Sequence, residues 1–170
     1  MNSKIVLDEN KEYEFDFSKC EYVLEFHDLA NKLKLNDVDF ITQIDDQVIF
    51  LEYKNSNIEG AVKPDAMFRK IIDNPEKFYA NIAKKYYDSL FMLWSCKGNE
   101  KDKPIAYIFL VEDKLIDEKI RKKLKLKIGK QLPLKVKDDV KRELISKFEV
   151  YNLKEWKKEF EKIEIRKVNK

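Results

Sequence analysis

Glycine and proline are scarce in this chain of 170 residues, at three and four, and histidine occurs once. Three scattered glycines leave no GxGxxG or GxxxxGK[ST] loop to cradle phosphates, so nucleotide hydrolysis and dinucleotide cofactors are disfavoured. The lone His27 removes HNH-type sites, histidine-rich zinc sites and Ser-His-Asp triads together. The two cysteines, Cys20 and Cys96, form no CxxC pair, which gives zinc or a disulfide framework little support. No low-complexity stretch or repeat of roughly 20 to 50 residues appears, against solenoid or linker-rich architectures. The longest clean apolar run, Ile105 to Val111, falls far short of the roughly 20 residues that span a bilayer. The opening Met1-Asn2-Ser3-Lys4-Ile5-Val6-Leu7-Asp8-Glu9 turns acidic too soon for a signal peptide. These absences predict a cytoplasmic chain with no membrane partner.

What is present is charge and aromatic bulk. Hydrophobic residues make up 44%, aromatics 12% and charged residues 39%, enough apolar material for one core, so a single domain over 1–170 is expected. The net charge of +3 hides an asymmetry: residues 1–62 carry 6 basic and 14 acidic side chains, residues 114–142 carry 12 and 4. Within the basic block, Lys119, Arg121, Lys122, Lys123, Lys125, Lys127 and Lys130 are candidates to follow a nucleic-acid backbone, because neutralising phosphates releases counterions. The competing reading is a solvated helix face. With only four arginines, base-edge readout is thinly supplied.

Periodicity orders the elements. Lys11 to Phe17 and Cys20 to His27 read as strands. Asp37 to Ile44 and Gln47 to Lys54, rich in β-branched and aromatic residues, read as a hairpin turning at Asp45-Asp46. Ile58 to Lys63 is a loop, Pro64 opens a helix through Ala66 to Ile72, and Asn74 offers a cap for a long helix from Glu76 to Trp94. Ile105 to Val111 then reads as a strand buried on both faces, completing a crossover. Leu115 to Leu126 and Lys137 to Lys147 read as helices, Phe148 to Asn152 as a short strand and Leu153 to Lys162 as a closing helix, with Trp156 and Phe160 as i,i+4 partners. Trp94, Trp156 and the tyrosines are expected to pack in the core rather than stack on bases.

One stretch is arranged for chemistry. Side chains alternate along a strand, so Glu52 and Lys54 share a face, and Asp39 on the paired strand can meet Glu52 across the hairpin. Two carboxylates suffice for Mg²⁺ or Mn²⁺ beside a phosphate, and the Tyr53 carbonyl is a further ligand candidate. Lys54 can orient the nucleophile, help deprotonate it, or stabilise charge on the phosphate. The competing reading is a surface carboxylate pair bridged by a lysine, worth under about 1 kcal/mol.

Asp39, twelve intervening residues, then Glu52-Tyr53-Lys54 resembles the PD-(D/E)xK nuclease superfamily, in which the first acid precedes apolar residues (here Phe40-Ile41) and the second motif ends an apolar strand (here Ile49 to Lys54). The resemblance implies an α/β restriction-endonuclease-like fold, a mixed central sheet flanked by helices. It places the nuclease-like core at about 20–112, followed by a basic helical extension over about 114–165. It also implies that Asp39 and Glu52 bind Mg²⁺ or Mn²⁺ and that Lys54 assists phosphodiester hydrolysis, with DNA the expected substrate. Val38 stands where the pattern has Pro, and the N-terminal helix that supplies an extra Glu is not evident. Glu25, with Glu21 behind it, and Asp37 on the face of Asp39 are candidates for that additional acid. The alternatives are a catalytically inactive module of this fold that binds protein or nucleic acid, in a defence or mobile-element system, and a homodimer or larger homo-oligomer pairing acidic with basic ends.

Overall fold

Residues 47–55 and 105–112, each with a run of buried apolar side chains, lie side by side as parallel strands. In the computed structural model, which describes residues 4–169, the elements run β1 (Ile5–Leu7), β2 (Tyr13–Asp16), β3 (Tyr22–Leu24), α1 (His27–Leu33), β4 (Phe40–Ile44), β5 (Gln47–Asn55), α2 (Ala66–Asp73), α3 (Pro75–Ser95), β6 (Ile105–Glu112), α4 (Glu118–Gly129), β7 (Lys147–Tyr151), α5 (Leu153–Glu159) and β8 (Glu164–Lys167). The signal-peptide reading rests partly on Met1, Asn2 and Ser3, which lie outside the described residues. A five-stranded mixed sheet has the order β3-β4-β5-β6-β7, antiparallel across β3, β4 and β5 and parallel onward. A three-stranded antiparallel sheet, β1-β2-β8, is separate. The chain is mixed α/β.

The large sheet divides two cores. One face carries Val48, Phe50, Tyr107, Phe109 and Phe148 against Ile71 of α2, Ile82, Tyr86 and Leu90 of α3, and Leu124 and Ile128 of α4. The other carries Phe40, Ile49, Leu51, Tyr53, Ile108 and Leu110 against Phe15 of β2, Trp156 of α5 and Ile163. β6 is buried at seven of its eight positions, as a strand covered on both faces must be. Trp156 is 1% exposed, stacks at 4.4 Å on Phe160 and donates Nε1–H to the Ile163 carbonyl, so it is core, as expected.

Several elements differ from the sequence reading. The strand at Cys20 to His27 stops at Leu24, because Phe26, Leu29, Ala30 and Leu33 recur at helical spacing and form α1, the short helix that the reading found no sign of. α1 contains no glutamate. Pro64 lies before the helix, in a turn closed by the Ala66 N–H on the Lys63 carbonyl, and α2 starts at Ala66. Asn74 precedes α3 without a side-chain cap bond, and Pro75 takes the first turn. Residues 137–146 form no helix. Their charges fall on every side and offer no apolar stripe, and they run irregularly until Ser146 donates its N–H to the Ile105 carbonyl at 2.8 Å, setting β7 beside β6. The region after 114 is therefore more than a helical extension: β7 widens the large sheet and β8 the small one.

Candidate active site

β5 begins as core and ends as a charged strand. Val48 and Phe50 face the helices while Ile49, Leu51 and Tyr53 face the other way, so the alternation puts Glu52 and Lys54 on the helix face. The Phe50, Tyr86 and Tyr107 rings, 5.0 and 5.1 Å apart in sequence of contact, seat α3 over β5 and bring Lys85 above Glu52. Glu52 is fully buried. Its Oε1 accepts a hydrogen bond from Lys85 Nζ at 2.7 Å and lies 3.1 Å from Lys54 Nζ. Its Oε2 is buried with no hydrogen-bond partner among the described residues, an arrangement that costs about 1–3 kcal/mol or more in a folded chain.

Asp39 lies one residue before β4, and extending the Phe40↔Leu51 register by one step sets it opposite Glu52. The approach is pinned to α3: the Asn36 N–H donates to Asp88 Oδ2 and the Val38 N–H to Ser89 Oγ, each at 2.9 Å. Asp39 Oδ2 accepts the Tyr53 N–H at 2.7 Å. Because N–H and C=O of one strand residue point to the same side, the Tyr53 carbonyl also faces Asp39. Burial and the neighbouring Glu52 carboxylate push the Asp39 pKa up to about 7, against the opposing pull of Lys54, the Tyr53 N–H and Lys85. Burial pulls the Lys54 ammonium down, but Glu52 and Asp39 outweigh it and hold its pKa above the ordinary lysine value. Beneath them, buried Tyr107 is committed as a donor to the Ile82 carbonyl, and burial and the same two carboxylates hold its hydroxyl protonated.

Asp39, Tyr53 and Lys54 open onto a cleft of about 360 Å³ between the β1–β2 turn and the edge of the large sheet. Its walls carry five acids, Asp8, Glu9, Glu25, Asp37 and Asp39, against the one cation Lys54, with the His27 ring beside them. Both Glu25 and Asp37 thus reach this cleft, though Asp37 lies outside the strand on which it was placed. Glu25 is exposed, with partial burial raising its carboxyl, and Asp37 Oδ1 sits 3.7 Å from His27 Nδ1. Glu21 is elsewhere, 3.8 Å from Lys103 near the Asp45-Asp46 turn, and is no candidate for this cleft.

Lys85 was missed by the sequence reading, yet it leaves a signal. It lies three residues after Ile82 and four before Ser89, both buried, so a lysine interrupts the buried stripe of α3. The basic block of α4 is different. Arg121 pairs with Glu155, Lys122 with Glu118 and Lys125 with Glu149, and none of its seven cations lines the Asp39 cleft. Lys122, Lys125 and Lys130 instead border an apolar groove floored by Leu126, Leu132 and Leu134.

No family model, no curated protein and no solved structure matches the chain. Among the described residues no three His, Cys, Asp or Glu side chains gather as a metal-holding group, and no helix is long and apolar enough to cross a membrane.

Proposed function

We propose that the chain is a metal-dependent nuclease of the PD-(D/E)xK, restriction-endonuclease-like kind, hydrolysing phosphodiester bonds in DNA. One observation carries the reading: a fully buried glutamate with one unpartnered oxygen stands across the hairpin from a second carboxylate, whose pKa burial and that glutamate push up to about 7. A buried carboxylate oxygen left without a partner fits a divalent cation. Two carboxylates and the Tyr53 carbonyl suit Mg²⁺ or Mn²⁺, which commonly take one or two carboxylates and complete their shell with water and substrate phosphate, so a third acidic side chain is not required. Apart from the short α1 after β3, the order strand, hairpin, helices, strand from β3 to β6 follows the one the resemblance implies.

When bound, the cation supplies Lewis acidity toward the phosphate and toward attacking water. The chain's own residues do the rest. Asp39 and Glu52 would hold the cation, Asp39 in its ionised form. Lys85 keeps Glu52 oriented through the 2.7 Å bond from α3. Lys54, held protonated by its two acidic neighbours, serves as a fixed positive charge for the scissile phosphate rather than as a proton acceptor.

The test is cleavage of supercoiled plasmid and single-stranded DNA with Mg²⁺ or Mn²⁺ by wild type, Glu52→Ala and Lys54→Ala. Wild type should cut and both variants fail; equal behaviour of all three ends the proposal. A second reading is favoured by Lys54 and Lys85 together, since two ammonium groups already neutralise Glu52. On that reading the site is a structural charge cluster and the chain an inactive binding module. Calorimetry with Mn²⁺ separates the two, because the folded module takes up no cation.

A further inference from the structure

A second, larger groove lies between α2 and α3, about 850 Å³ in volume, and its charge is opposite to that of the Asp39 cleft. Four cations, Lys63, Arg69, Lys70 and Lys77, line it against two acids, Asp65 and Asp73. Asp65 is already paired with Arg69. Among the described residues Lys63, Lys70 and Lys77 have no ion-pair partner, so their ammonium groups are free for an incoming anion.

One ridge of α3 links the groove to the buried glutamate. Lys77, Asn81 and Lys85 follow at intervals of four residues on α3, forming one ridge along its surface. Lys77 and Asn81 line the groove, and Lys85 ends the ridge on Glu52. At 1.5 Å per residue the ridge is about 12 Å long, a span of a few nucleotides. Phe78, also in the groove wall, packs at 6.1 Å on Phe109, the β6 residue registered beside Glu52. The basic groove and the acidic pair therefore occupy the same face of the sheet, joined by one helix.

Resting on the nuclease reading above, we infer that the α2–α3 groove is the path by which a nucleic-acid strand enters the site, with Lys63, Lys70 and Lys77 holding its phosphates. A polyanion cannot approach the five-acid cleft unaided, and these lysines supply the attraction where α3 points toward Glu52. The α4 cations, the sequence's first candidates, play no part in this path: three of the seven are spent on neighbouring acids.

The test is fluorescence anisotropy with a labelled 20-nucleotide single strand and the matching duplex, in EDTA so that no cleavage intervenes. Lys70→Glu/Lys77→Glu should weaken binding at least tenfold and lower the slope of log affinity against log salt by about 1.5 for the single strand. Lys119→Glu/Lys123→Glu on α4, also a double reversal at exposed and unpaired lysines, should change it less than twofold. Lys70→Gln/Lys77→Gln should fall between wild type and the reversal, and thermal melts verify that each variant is folded. Unchanged binding in Lys70→Glu/Lys77→Glu, or no binding by wild type, overturns the groove. Failure of the nuclease reading looks different: wild type would then cut no DNA with Mg²⁺ or Mn²⁺, or Glu52→Gln would cut as well as wild type, whatever the EDTA titrations give.

Discussion

The two faces of β5 are built from the same strand under the same burial, yet they differ in kind. One face presents Ile49, Leu51 and Tyr53 to an apolar core closed by Phe15, Phe40 and Trp156. The other presents Val48 and Phe50, then a fully buried Glu52 flanked by Lys85 and Lys54. The first face accounts for why the strand is where it is. The second adds nothing that a leucine would not do better for folding, since desolvating a carboxylate costs several kcal/mol that its ion pairs only partly return. The comparison teaches that the fold and the site are separable demands on one strand, and the variants that break each face should therefore fail in different assays.

The largest expected difference is in activity. Glu52→Gln keeps the side-chain volume and removes the charge, so divalent-dependent cleavage should fall at least about a hundredfold, the loss of some 3 kcal/mol of transition-state stabilisation, while the circular dichroism spectrum stays unchanged. On the apolar face Leu51→Ala should do the reverse: a loss of about 2–5 kcal/mol in urea unfolding, with the remaining folded fraction still active. A Glu52→Gln protein that unfolds, or a Leu51→Ala protein that is folded but dead, would merge the two faces again. Next in size is the ion pair. Lys85→Met leaves Glu52 with only the half-exposed Lys54 and should cost about 3 kcal/mol, whereas Glu52→Met together with Lys85→Met should recover that loss or exceed wild type. Non-additivity in this cycle is the measurement that tells a costly buried pair from a stabilising one.

The parts visible in the sequence are those fixed by local chemistry. The hairpin showed itself in two β-branched runs around Asp45-Asp46, and indeed Ile44 pairs with Gln47 and Asp45 takes φ 51°, a conformation aspartate tolerates. The 105–112 strand and the long helix α3 showed themselves by length and period. The shared face of Asp39, Glu52 and Lys54 followed from alternation and the hairpin register, since β5 sets Glu52 and Lys54 on one face and the register brings Asp39 across from Glu52. Hidden were features that depend on tertiary partners. β1 and β8 are three and four residues long with mostly exposed side chains, and only their pairing with β2 makes them strands. Residues 137–146 read as a helix, but their scattered charges leave no apolar stripe, and Leu144 and Ile145 reach the core from an irregular segment. Lys85 carried a signal in the interrupted apolar stripe, but nothing in the sequence says that the stripe passes over Glu52, because that depends on the crossover. The α4 cations show the same limit from the other side: a dense basic run is conspicuous in sequence, while Glu149 and Glu155, which pair with two of its members, arrive from β7 and α5.

The smallest effect separates the faces by pH. Asp39 has a folded-state pKa near 7 against an ordinary 3.8. An acid raised in this way binds its proton more tightly when folded, so between these values the folded chain holds more protons than the unfolded one, and stability falls as pH rises through the window. Below about pH 4 the term is absent, and above pH 7 it is fully unfavourable. Three pH units correspond to about 4 kcal/mol, and because Asp39 is partly open to the cleft, solvent screening reduces this to about 2 kcal/mol. Asp39→Asn cannot ionise and keeps an oxygen for the Tyr53 N–H. Without divalent cations it should therefore melt above wild type at pH 8, and the gap should close toward pH 4.5. Adding Mn²⁺ at pH 8 should raise the wild-type midpoint and leave that of Asp39→Asn in place, since only a cation that binds the folded site stabilises it. If Mn²⁺ raises both midpoints equally, Asp39 is no ligand; if it moves neither, the helix face of β5 holds a buried charge cluster without a metal.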